Sequence, residues 1–105
     1  MQAIDTYFVN VAGVSFRQQE AKTALIGDEC LLIPEPDNPV DKNAVKVILK
    51  KSGAMIGYIG RDFNATLLEA IDAGFTFFAV VDVAKLTTDS KTFWVQLKVI
   101  SIAPE

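Results

Sequence analysis

The sequence predicts a mainly β fold with one or two helices, in which about six short strands curl into a small antiparallel sheet or barrel. Three observations predict it. Several short runs alternate apolar and polar residues, others are continuous β-branched and aromatic runs, and one stretch alone carries a clear helical period. The chain has 105 residues, half of them apolar, with a formal net charge of -3. That fits one compact domain over residues 1–105 and is too apolar for a disordered tail.

The first strand is expected over Asp5 to Val14, where Tyr7, Phe8, Val9, Val11 and Val14 cluster. Gly13 in that run marks a bulge or a close backbone approach. Phe16 to Ala24 is built of good helix formers and reads as the softer helix, stopped by Gly27-Asp28. Cys30 to Ile33 is a short buried strand ended by Pro34, and Pro34 to Pro39 is a loop. Asn43 to Lys51 sets Val45, Val47 and Leu49 on one face and Lys46, Ile48 and Lys50 on the other, the pattern of a half-buried strand. Lys51-Ser52-Gly53 turns the chain into a partner strand, Ala54 to Ile59. Asp62 to Ala73 is the firm helix: Phe63, Leu67, Leu68 and Ile71 recur at helical spacing, with Asp62 as N-cap and Gly74 as C-cap. Phe75 to Val83 is a buried strand and Thr87 to Ser90 a loop. Thr92 to Ile102 closes the domain with Phe93, Val95, Leu97 and Val99 on one face.

The composition speaks against an enzyme. Histidine is absent, which removes the commonest general base and metal ligand. The single cysteine, Cys30, makes neither an internal disulfide nor a cysteine metal cluster. Asp37 and Asp41 are close in sequence, yet carboxylates beside proline are ordinary turn formers, so a metal-dependent nuclease finds no further support. No metal and no cofactor are expected. Residues Met1 to Tyr7 lack the features of a signal peptide, and the purest apolar run, Ala73 to Val81, is too short to span a bilayer. The expectation is a cytoplasmic protein without membrane contact.

An acidic total argues against a general nucleic-acid coat. The distribution is uneven, however. Residues 1–40 hold two basic and six acidic groups, and residues 62–105 hold three and six. Between them Lys42, Lys46, Lys50, Lys51 and Arg61 face Asp41 alone, a local net of +4. The lysines read first as a solvated strand face, with phosphate contact as the alternative. Gly57-Tyr58-Ile59-Gly60 before the helix could hold an anion, although two glycines near a strand end usually only permit a turn.

Three segments together are more specific: Val11-Ala12-Gly13-Val14-Ser15-Phe16-Arg17, then Glu35-Pro36-Asp37-Asn38-Pro39-Val40-Asp41-Lys42-Asn43-Ala44-Val45-Lys46-Val47, then Ile56-Gly57-Tyr58-Ile59-Gly60-Arg61-Asp62. Their order and spacing resemble the HIRAN domain over roughly residues 6–100. The resemblance implies a free-standing member of the family with a six-stranded barrel of the OB or SH3-like kind. It implies binding of the 3′-hydroxyl end of single-stranded DNA, in DNA repair or replication-fork processing, with a helicase or repair enzyme as accompanying partner. By the resemblance Asp41 accepts a hydrogen bond from the terminal hydroxyl, Phe16 packs on a base, and Arg61 contacts phosphate. Tyr58 matches a ring or imidazole of the family, Phe93 an aromatic on the last strand, and Asn38 the turn before the carboxylate. Arg17 and Lys42 are the neighbouring cations. Two positions depart from the family's DNA-binding members: Ser15 replaces an arginine and Val40 a second aromatic. Stacking is worth about 1–3 kcal/mol per base, so the loss of a ring implies weaker affinity.

Read from the residues alone, Phe16 and Tyr58 are open between core and site. Phe93 is in phase with Val95 and Leu97, which favours the core. Asp41 could cap the turn at Asn43 and still offer one free oxygen. Arg61 stands beside a helix N-terminus, where an anion is already favoured. The competing reading is a protein-interaction module that uses a barrel edge or the loop around Asn38 without intrinsic DNA binding.

Overall fold

The structure, a computed structural model, describes residues 4–88 and 91–105. Six strands close into an antiparallel barrel: β1 (Ile4–Ala12), β2 (Glu29–Pro34), β3 (Val45–Leu49), β4 (Met55–Ile59), β5 (Thr76–Leu86) and β6 (Phe93–Ile102). Around the barrel their order is β1-β4-β3-β2-β5-β6, so each strand has a partner on both sides. The inward residues are those the alternation picks out. Val45, Val47 and Leu49 of β3 and Val95, Leu97 and Val99 of β6 are completely buried, with Ile56, Ile59 and Val81 beside them. Helix α1 (Gln18–Ala21) packs mainly on β4 and β6. Helix α2 (Asn64–Asp72) sends Leu67 into the core, with Leu68 and Ile71 packed against it.

Closure depends on β1 changing partner. From Ile4↔Ile102 to Asn10↔Gln96 it pairs with β6. Then Val11↔Ile59 and Ala12↔Tyr58 join it to β4. At that join Gly57 is obligatory, because a Cβ there would run into the carbonyl oxygen of Ala12 and lie 2.6 Å from Val11 Cγ1. Where β1 leaves β6, the side chain of Gln18 takes over as a strand partner. Its Oε1 accepts from the Phe93 N–H at 2.7 Å, and its Nε2 donates to the Phe93 carbonyl at 3.0 Å and to the Val14 carbonyl at 2.8 Å.

Several boundaries differ from those expected, for local reasons. The first strand stops at Ala12, because Gly13 in the left-handed region (φ 75°) turns the chain into a 3-10 turn, Val14–Phe16. The softer helix shrinks to the four residues of α1. Four residues cannot offset the cost of helix nucleation, and the segment is held by buried Ala21 and Ala24 and by Gln18. Asp62 is not the N-cap of α2. The helix starts at Asn64 after a turn in which the Gly60 carbonyl accepts from the N–H groups of Phe63 and Asn64, and the cap position, Phe63, makes no side-chain cap bond. At the other end Gly74 (φ 94°) caps as expected: its N–H reaches the Ile71 carbonyl and that of Phe75 the Ala70 carbonyl. Strand β5 runs to Leu86, beyond Val83, because a bulge between Val81 and Val83 absorbs Asp82. In the expected loop Thr87 to Ser90, residues Asp89 and Ser90 lie outside the described residues. Closure also leaves no strand unpartnered on one whole side, which removes the open edge that the competing protein-interaction reading could use and leaves it the loop around Asn38.

Candidate nucleic-acid interface

A cleft of about 360 Å³ opens where the end of β1, the loop before β3, the end of β4 and the start of α2 meet. Asn38, Asp41, Tyr58 and Arg61 line it, together with Ala12, Gly13, Val40, Ala44, Ile59 and Asn64. Four of the residues expected at a binding site thus converge from two segments separate in sequence.

The loop is shaped by its own side chains. Asn38 Oδ1 accepts from the N–H groups of Val40 (2.9 Å) and Asp41 (3.0 Å), an Asx-type closure of the Asn-Pro turn. Its amide nitrogen donates to Glu35 Oε1 at 2.7 Å. The Tyr58 hydroxyl donates to the same oxygen at 3.2 Å, and Lys46 Nζ lies 3.7 Å from Glu35 Oε2. The Asn38 bond, with smaller help from Tyr58 and Lys46, holds the Glu35 carboxyl below its ordinary range. Partial desolvation and the Glu35 carboxylate push the Tyr58 phenol above its ordinary value. Asn38 therefore builds the loop with most of its hydrogen-bonding capacity.

Asp41 is held from three sides. Its Oδ1 accepts from the Asn43 N–H at 2.9 Å. Its Oδ2 accepts from Asn64 Nδ2 at 2.9 Å, and Arg61 Nε stands 3.6 Å from that oxygen. The Asn43 N–H is the chief cause of a lowered carboxyl pKa, with Asn64 and Arg61 adding to it, so Asp41 is ionised at neutral pH. The expected cap of Asn43 is present. No oxygen is left entirely free, because Asn64 takes the other. What Asp41 still offers is the second lone pair of Oδ1, which suits a single hydroxyl donor.

The remaining expected residues lie apart from this group. Gly13 lines the cleft; Phe16 and Arg17 follow in and just after the 3-10 turn, their N–H groups bonded to the carbonyls of Gly13 and Val14, and neither lines the cleft. Phe16 is 91% exposed, so it is no part of the core. Arg17 stands near enough for its charge to act on the Tyr58 hydroxyl. Lys42 is exposed in the turn beyond Asp41 and has no ion pair among the described residues. Phe93 packs against the core, and only its backbone meets Gln18; it does not line the cleft.

The basic middle of the chain is largely neutralised. Lys46, Lys50 and Lys51 pair with Glu35, Glu29 (3.1 Å) and Asp28 (2.6 Å), carboxylates at or beside the ends of β2. The antiparallel register of β2 on β3 brings the acidic and basic segments together. Beside the cleft stand Arg61, which pairs with Asp41 at 3.6 Å but keeps its side chain 74% exposed, and Lys42 and Arg17, which have no ion pair among the described residues. Glu35 and Asn64 were not expected to matter. Asn64 is a buried polar residue at 3% exposure, and nothing local to either residue signals a partner 23 positions away. No group of three or more possible metal ligands occurs among the described residues, and none of their helices is long and apolar enough to cross a membrane.

The family model for the HIRAN domain matches residues 4–98. The chain belongs to the HIRAN domain family. HIRAN domains are nucleic-acid-binding modules, not a catalytic family. The fold agrees with two crystal structures. A protein from Lactobacillus plantarum is 24% identical, with a TM-score of 0.75 over 99% of this chain and 100% of that one. The HIRAN domain of human HLTF is 20% identical, with a TM-score of 0.73 over 99% of this chain and 81% of that one. Among curated proteins none is a significant match.

Proposed function

We propose that this HIRAN domain captures the 3′-hydroxyl end of single-stranded DNA in the cleft, as part of DNA repair or replication-fork processing. One observation carries the reading: Asp41 is an ionised, immobilised carboxylate with one acceptor position open, beside an exposed guanidinium. A terminal hydroxyl donates to Asp41 Oδ1 while Arg61 takes the adjoining phosphate with its outer nitrogens. Tyr58 gives the cleft an aromatic wall, and Phe16, exposed in the turn that follows the lining residue Gly13, offers a ring for a base. A 3′-phosphate is rejected, because it sets negative charge against Asp41. Asn38, Glu35 and Asn64 serve by holding the loop and the carboxylate in place.

The test is a titration of the labelled protein with three oligonucleotides, read by amide shifts. One ends in a 3′-hydroxyl, one in a 3′-phosphate, and in the third a hairpin blocks the end. Shifts at Asp41, Tyr58 and Arg61 with the free hydroxyl alone, lost in Asp41→Ala, are expected. Absence of any shift at millimolar oligonucleotide would falsify the reading and leave a protein-interaction module working through the Asn38 loop.

A further inference from the structure

Outside the cleft, the outer face of β1, β6 and β5 carries a second set of aromatic, cationic and amide groups. Phe8 of β1 lies directly across from Lys98 of β6. Two positions along, Asn10 lies across from Gln96, with Gln96 Nε2 3.5 Å from Asn10 Oδ1. Two further along β6, Trp94 lies across from Lys85 of β5, whose Nζ sits 5.6 Å from the indole centroid. Phe8 is 58% exposed, and Trp94 is half-buried at the wall of a shallow groove where β1 parts from β6. Two aromatics, each with a lysine across the ladder, thus flank a pair of amides.

This arrangement matches what a single strand needs. Every base offers a face for stacking, lysines meet the phosphates, and amides serve base edges or backbone without fixing sequence. The face also adjoins the cleft. Asn10 borders the groove and Ala12 the cleft, and they are consecutive outward residues of β1, about 6.8 Å apart along the strand. Asp82 lies at the β5 bulge, beside Gln96's partner Val83, so this stretch holds one carboxylate against two lysines and stacking is assigned the larger share.

We propose that the single strand whose 3′ end occupies the cleft continues over this outer face, stacking upstream bases on Trp94 and Phe8 with Lys85 and Lys98 on the phosphates. The proposal rests on end capture by Asp41 and extends it from one terminus to a strand several nucleotides long. It makes the ligand a 3′ single-stranded tail, where the cleft alone would accept any frayed end.

Trp94 is the only tryptophan in the chain, so its emission reports this face without a label. A thymidine trinucleotide and a decanucleotide, both with 3′-hydroxyls, are titrated while Trp94 fluorescence and the Asp41 and Tyr58 amides are followed. The trinucleotide is expected to move the amides and leave the tryptophan unchanged. The decanucleotide is expected to do both and to bind about tenfold tighter. Phe8→Ala and Lys85→Gln should each remove much of that length advantage and leave the trinucleotide untouched. Equal affinities with silent Trp94, alongside shifts at Asp41 and Tyr58, overturn the outer path and leave end capture standing. Quenching by the decanucleotide without those shifts overturns end capture, and with it a path leading from the cleft.

Discussion

Gln18 is the residue whose loss should reach both the fold and the cleft. Its carboxamide supplies three hydrogen bonds, two of them to the backbone of Phe93 and one to the Val14 carbonyl. In Gln18→Ala the Val14 carbonyl keeps the Arg17 N–H at 2.9 Å, so that acceptor remains satisfied. The Phe93 N–H and C=O lose this partner in a part-buried setting that water enters only in part. At about 1 kcal/mol for each backbone group the cost is about 2 kcal/mol. With an unfolding entropy of about 2.1 cal/mol/K per residue, that lowers Tm by about 9 °C. The same bonds tie the turn bearing Phe16 and Arg17 to β6, so oligonucleotide affinity should fall as well. Gln18→Glu is the sharper control, because it sets a carboxylate against the carbonyls of Phe93 and Val14. The introduced group would have its pKa raised in the folded state, so its protonated form stabilises. Stability should be highest below its unfolded pKa and be lost as pH rises through the folded one. Thermal denaturation followed by circular dichroism measures both variants. A Tm within 2 °C of the parent for Gln18→Ala would show that water replaces the amide and that the rim is held by other contacts.

Three further outcomes follow from single positions. Gly57→Ala forces a methyl into the Ala12 carbonyl and Val11 at the join of β1 and β4, and should cost about 3 kcal/mol in urea denaturation; an unchanged midpoint would mean that the join is loose. Cys30 is buried, and burial with the nearby Asp28 and Glu29 pushes its thiol up to about 11, so it should resist a thiol reagent at pH 8 until the protein unfolds. Val40 is 79% exposed on the cleft wall, so Val40→Tyr should add a stacking ring and tighten oligonucleotide binding about tenfold; no gain in a titration would show that the cleft does not bind bases at that wall.

Local chemistry made much of the fold legible. The alternation of Val45, Val47 and Leu49 named the buried face of β3, and the same phase through Val95, Leu97 and Val99 did so for β6. Gly74 marked the end of α2 because the residue there must adopt a positive φ. What was not legible depends on contacts distant in sequence. The change of partner by β1 after Asn10 leaves no trace in its own pattern, and neither does the use of Gln18 as a substitute strand. The helix start shifted because the Gly60 carbonyl organises the turn and Asn64 is drawn to Asp41. For the cleft, motif resemblance brought Asn38, Asp41, Tyr58 and Arg61 to notice, and the structure assembles them. It could not reveal Glu35 and Asn64, whose importance is their geometry relative to those four.

The charge pattern changes meaning once the strands are paired, and a salt titration tests the new meaning. Read linearly, the +4 segment is a solvated strand face with phosphate docking as its alternative. Folded, Lys46, Lys50 and Lys51 already face Glu35, Glu29 and Asp28, so drawing them onto DNA would uncover three carboxylates beside the ligand. Such exposed pairs are individually weak, but together they remove the net attraction that the lysines would otherwise exert. Arg61, Lys42 and Arg17 remain near the cleft, with Lys85 and Lys98 on the outer face. Each phosphate contact on a single strand contributes about -0.7 to the slope of log K against log salt. Three contacts give about -2.1, and five give about -3.5 for a long oligonucleotide. A slope of about -5.6 would require the three β3-side lysines as well and would refute the pairing argument. A shallow slope, in a chain of net charge -3, is what separates a device for holding one strand end from one that coats nucleic acid.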